Sequence, residues 1–81
     1  MPQFLVDVSG LVQRSSGGRV GWDDTIEVEA VDDGAAARVA LKLATERLRG
    51  SERVVRARGL VWPVDADSRP VEPPVIVHLV D

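Results

Sequence analysis

Cysteine is absent from the 81 residues, and with it go disulfides, thiolate nucleophiles and every zinc site that needs a sulfur ligand. The fold has to rest on packing alone. Histidine occurs once, at His78, lysine once, at Lys42, and the aromatic residues are Phe4, Trp22 and Trp62. No stretch approaches the roughly 18 apolar residues of a membrane span. The opening Met1-Pro2-Gln3-Phe4-Leu5-Val6-Asp7 lacks the basic-then-apolar order of a secretory leader. The expectation is a cytoplasmic protein, or a virion component if phage-encoded, with no membrane partner. A basic surplus is also missing. A net charge of -3 and a pI near 5.0 argue against the phosphate backbone as the main partner unless a local patch supplies the charge.

What is present describes a folded chain. Hydrophobic residues make up 44% and charged residues 28%, a balance that supports a core rather than disorder. Residues 1–81 read as a single small domain, which at this size buries only about 60 to 65% of its unfolded surface. Covering more apolar area would stabilise it. Nine arginines against one lysine, with plentiful alanine and valine, are what a GC-rich coding sequence produces. That bias suggests an actinobacterium or one of its phages.

Residues 3–12 place Phe4, Val6 and Val8 on one parity and Gln3, Leu5, Asp7 and Ser9 on the other, the period of a strand with one buried side. Gly10 interrupts it as a bulge or bend. Residues 13–19 are polar, end in paired glycines and form a flexible hairpin loop. The return strand, 20–31, carries Val20, Trp22, Asp24, Ile26, Val28 and Ala30 on one parity. Asp24 is its misfit, and a bulge at Asp23-Asp24 would restore the register. Asp32 or Asp33 caps a helix. Its apolar stripe runs through Ala37, Ala40, Leu41, Ala44 and Leu48, broadened by Ala36, Val39 and Leu43, and Gly50 is the stop. Residues 52–64 return to a strand that Pro63 ends or confines to an edge. A proline-stiffened loop, 65–74, leads to a last strand, Val75 to Val80, apolar on both faces apart from His78.

The order is therefore ββαββ, an α+β fold with a mainly antiparallel four-stranded sheet in spatial order 2-1-3-4 and one helix packed on one face. The run I-E-V-E-A-V-D-D-G-A-A-A-R-V-A-L-K-L followed by R-V-V-R-A-R-G-L resembles the strand, Asp-capped helix and strand of the small archaeal ribosomal LX proteins, and equally many small phage and plasmid proteins. The resemblance spans residues 26–60 and implies the β-β-α-β order. The acidic net charge departs from a ribosomal protein, and no functional residue is carried over.

One helix covers one sheet face, yet Leu5, Leu11, Leu60, Trp62 and the last strand supply more apolar side chains than it can shelter. The expected function is a non-enzymatic protein-binding or assembly module, of the kind found as a phage or mobile-element accessory or virion component. It would act through an apolar sheet face or edge strand formed by Leu60, Trp62, Val75, Ile76, Val77, Leu79 and Val80. Its partner would be another protein or a second copy in a homo-oligomer. The competing arrangement folds the C-terminal segment across that face as a lid.

Arg47, Arg49, Arg53, Arg56 and Arg58 fall within twelve residues and form an arginine stripe that could contact nucleic acid. The alternative pairs them with Glu27 and Glu29 on an adjacent strand and with Glu46 and Glu52. Ordinary chemistry finds little support. Asp23-Asp24, Asp32-Asp33 and Asp65 with Asp67 read as bulge, cap and turn, since Arg69 breaks the alternation a calcium loop requires. His78 has no serine or acid at motif spacing, and Gly10 and Gly17-Gly18 do not open onto a helix as a phosphate loop does. No enzymatic activity, metal, cofactor or small-molecule substrate is expected.

Overall fold

A computed structural model describes residues 1–48 and 52–80. The order is β1 (Gln3–Gln13), β2 (Arg19–Glu29), α1 (Asp33–Thr45), β3 (Arg53–Pro63) and β4 (Val75–Val80). The strands form one open antiparallel sheet in the order β2-β1-β3-β4, with the helix on one face. This is the α+β arrangement that the alternation of β1 and the cap of α1 imply. The three long strands draw the molecule out to 43 Å along its main axis.

Period-two alternation decides which face is buried. Val6, Val8, Val12 and Val61 are essentially inaccessible; Val6, Val8 and Val61, with Phe4, Ile26 and Val28, form one cluster with Ala36, Ala37, Ala40 and Ala44 of the helix. Alanines on the packed stripe let α1 lie close to β3: a methyl built on Gly59 would come within 3.3 Å of Ala37 Cβ. The stripe is narrower than the sequence implies. Val39 and Leu43 are 41% and 38% exposed and face outward, while Leu41 is half-buried.

Asp32 caps the helix, accepting the Ala35 N–H at 2.8 Å on Oδ1. At the other end the helix stops at Thr45, earlier than the glycine signal. The Arg47 and Leu48 N–H groups donate to Ala44 and Thr45 oxygens at 3.1 Å, tightening the chain into i+3 turns. Gly50, the expected stop, lies outside the described residues, as does Arg49.

The register differs from the sequence pattern at two points. No bulge occurs at Asp23-Asp24: β1 and β2 pair without a break, Val8 opposite Asp24 and Ser9 opposite Asp23. Asp24 instead stays on the helix side and is neutralised there by Arg47, whose guanidinium approaches its carboxylate at 2.8 Å. The irregularity lies one strand over. The β1–β3 register shifts between Leu11 and Val12, leaving Val55 as the extra residue of β3. Gly10 faces that point, and a Cβ there would sit 1.9 Å from the Arg56 carbonyl oxygen. A second shift, beside Ala57, leaves Leu79 as the extra residue of β4.

The 13–19 loop tightens to residues 14–18, with Gly17 at φ 95° and the Arg14 N–H donating to Gly18 O at 2.8 Å. The 65–74 segment begins as a compact turn. Asp65 Oδ1 accepts the Asp67 and Arg69 N–H groups at 2.9 and 3.1 Å, and the Val71 N–H reaches back to Pro63 O at 3.1 Å. The segment folds along the end of β3, and β4 then joins the sheet in plane. The C-terminal strand is therefore an edge strand and not a lid.

Candidate functional site

The face opposite the helix carries the other parity of each strand. Among the described residues, no element packs on it. Register sets its side chains in rows about 4.8 Å apart across the strands and about 6.7 Å apart along them. One row holds Glu27, Leu5 and Trp62; the next holds Thr25, Asp7, Leu60 and Ile76; then come Asp23, Ser9, Arg58 and His78, then Gly21, Leu11 and Arg56, and beyond them Arg19, Gln13 and Arg53.

The face thus has two halves. One is apolar, where Leu5, Leu60 and Trp62 are half-buried and Ile76 is 55% exposed. The other is a shallow trough of about 970 Å³ lined by Ser9, Leu11, Asp23, Arg56, Arg58 and His78, with Val80 at its rim. Gly21, on the open-face parity, contributes no side chain to its floor, and the Gly10 backbone lines it, so a depression exists there. The bulge at Val55 places Arg53, opposite Gln13, on the same face as Arg56 and Arg58; strict alternation would have turned it away.

The residues expected to form an interface divide between the two sides of the sheet. Leu60, Trp62 and Ile76 lie on the open face and Val80 at the trough. Val77 and Leu79 pack against the helix-side core. Val75, opposite the buried Val61, is also on the helix side, but at the sheet's end where it stays 45% exposed.

The arginine stripe is likewise redistributed. Arg47 belongs to the helix end and is held by Asp24. The expected pairing of Arg56 and Arg58 with Glu27 and Glu29 does not occur, because β1 lies between β2 and β3. Glu29 instead accepts a hydrogen bond from Gln3 Nε2 at 3.1 Å. Among the described residues no carboxylate forms an ion pair with Arg53, Arg56 or Arg58.

Chemically, the trough offers two guanidinium groups and an imidazole toward solvent. Ser9 and His78 share a row, but β3 separates their strands. Their backbones are therefore about 9.6 Å apart, and the long side chain of Arg58 stands between them. That arrangement lacks the direct contact between nucleophile and base that covalent catalysis requires. The carboxylate pairs are dispersed: Asp23 and Asp24 take opposite faces of β2, Asp32 caps α1 and Asp65 closes a turn.

Ser9, Asp23 and His78 are the members of this site that motif spacing misses. Three different strands deliver them, and only the pairing register unites them. No family model matches the chain, and no curated protein or solved structure shows significant similarity to it.

Proposed function

We propose that the chain is a non-enzymatic protein-binding or assembly module acting through its open sheet face, a role suited to a phage or mobile-element accessory or virion component. One observation carries the reading. The sheet has a helix on one side, while the other side brings Leu5, Leu60, Trp62 and Ile76 into adjacent register positions without cover among the described residues. A contiguous apolar patch rimmed by Glu27, Asp7 and Arg58 has the layout of a protein contact, with an apolar centre and a charged border.

The test is site-specific photo-crosslinking in the native host. A crosslinker at Trp62 should give discrete protein adducts, while one at Arg38, on the outer surface of α1, should give none. Equal labelling at both positions, or none at Trp62, refutes the reading.

A nucleic-acid contact is the second reading, favoured by the lack, among the described residues, of a carboxylate ion-paired with Arg53, Arg56 or Arg58. It predicts single-strand affinity that falls steeply with salt and is abolished by Arg56→Glu with Arg58→Glu. Affinity unchanged by the double reversal removes it.

A further inference from the structure

The sheet's two edges are protected unequally. Its β2 edge carries Arg19, Asp23, Asp24, Glu27 and Glu29 within eleven residues, the charge density with which natural edge strands repel unwanted pairing. The β4 edge is VIVHLV, without an Asp, Glu, Lys, Arg or Pro. β4 is hydrogen-bonded to β3 on one side. Among the described residues, none of the turn, loop and cap hydrogen bonds reaches its other side. Successive residues of such a strand direct their N–H and C=O groups alternately inward and outward, so the outer edge presents an unpaired row of both. Val75 and Ile76 beside that row are 45% and 55% exposed.

What fits an uncharged row of backbone donors and acceptors is another extended strand. A second β4 is self-complementary to it. A two-fold axis normal to the sheet sets the strands antiparallel and returns each outward N–H to a carbonyl of the copy. The same operation keeps the faces in phase. Both helices lie on one side, with Val75 and Val77 continuing the apolar layer beneath them, and Ile76 and His78 of the two copies adjoin on the open side. No like charges meet, whereas the equivalent pairing of two β2 edges would bring aspartates and glutamates together.

We propose that β4 pairs antiparallel with β4 of a second copy, joining two four-stranded sheets into one continuous sheet. This deepens and rests on the reading of the chain as an assembly module, for which it names one partner.

The experiment combines sedimentation equilibrium with amide hydrogen exchange on the full chain. The expected mass at high concentration is twice 8.8 kDa, and Ile76→Lys, which sets two cations beside the axis, should restore the single-chain mass with unchanged far-UV circular dichroism. In the dimer all amides from Val75 to His78 should exchange slowly, and on dilution every second one should become fast. A strict monomer at about 1 mM, where any pairing stronger than ~4 kcal/mol would register, overturns the proposal. So does a dimer in which alternate β4 amides stay fast. Neither result touches crosslinking at Trp62, so failure of the edge contact is separable from failure of the open-face reading. Should Ile76→Lys fail to fold, the exchange pattern of the unsubstituted chain decides.

Discussion

Gly10→Ala is the substitution through which the structure is most exposed to refutation. The added methyl would lie 1.9 Å from the Arg56 carbonyl oxygen, 2.7 Å from its carbon and 2.8 Å from Ala57 Cα, whereas ordinary contact begins near 3.4 Å. All three are backbone atoms, so no rotamer change relieves the overlap. β1 and β3 would have to separate locally by about 1.5 Å, the difference between 3.4 and 1.9 Å. A backbone hydrogen bond stretched by that much is broken. Losing two or three ladder bonds at ~1 kcal/mol each puts the cost at about 3 kcal/mol, within the range for overpacked sites. Chains of this length have a total stability of roughly 4 to 12 kcal/mol, so the loss is a large share. Urea denaturation followed by tryptophan fluorescence measures it. With a slope of about 1 kcal/mol per M, the midpoint should fall by about 3 M. Gly21→Ala is the control, since nothing lies within 4 Å of its added methyl. It should leave the midpoint level or slightly raised, by up to ~1 kcal/mol, through the reduced entropy of the unfolded chain. Equal midpoints for the two variants would refute the close approach of Gly10 to β3.

Gly59→Ala should cost less, about 1 kcal/mol, because Ala37 Cβ at 3.3 Å and Val6 Cγ1 at 3.4 Å need yield only a few tenths of an ångström; a thermal melt checks it. Asp32→Ala removes the acceptor of the Ala35 N–H and should lower stability by about 1 kcal/mol. Asp33→Ala should do less, since that carboxylate accepts from its neighbour Gly34; paired melts separate the two. Arg47→Ala should cost at most ~1 kcal/mol despite the 2.8 Å contact with Asp24, because the arginine side chain is 62% exposed. The difference from the unsubstituted chain should shrink in 1 M salt, where screening acts over about 3 Å.

The parts of the fold legible in the sequence are those fixed by local periodicity. Phe4, Val6 and Val8 alternate against Gln3, Asp7 and Ser9, with Leu5 the one apolar exception between them, so one side of β1 was marked for burial. Asp32 could cap only a helix that followed it. Other features depend on residues distant in the chain. Asp24 looks like a register error until Arg47, 23 residues away, is brought over it by the helix end. The bulge at Val55 follows from the approach of Gly10 in another strand. β4 could not declare its faces, because both parities are apolar. Pairing with β3 decided that Val77 and Leu79 go to the core and Ile76 and His78 to the open face. The helix also ends before its glycine, since turns at Arg47 and Leu48 take up the last carbonyls.

The same irregularity that the sequence conceals shapes the candidate site. Gly10 makes room for the β3 bulge, the bulge turns Arg53 to the face of Arg56 and Arg58, and Gly21 leaves part of the trough floor bare. Folding and site geometry are therefore coupled at Gly10, and a binding defect in a Gly10 variant would not distinguish a reshaped trough from a destabilised fold. Gly21 separates the two. It lines the same trough from β2, opposite Leu11, and a side chain added there meets nothing in the protein within 4 Å. A change of ligand or partner affinity on filling Gly21 would thus report on the trough alone, and comparing it with a change at Trp62 assigns a given contact to the basic or to the apolar half of the open face.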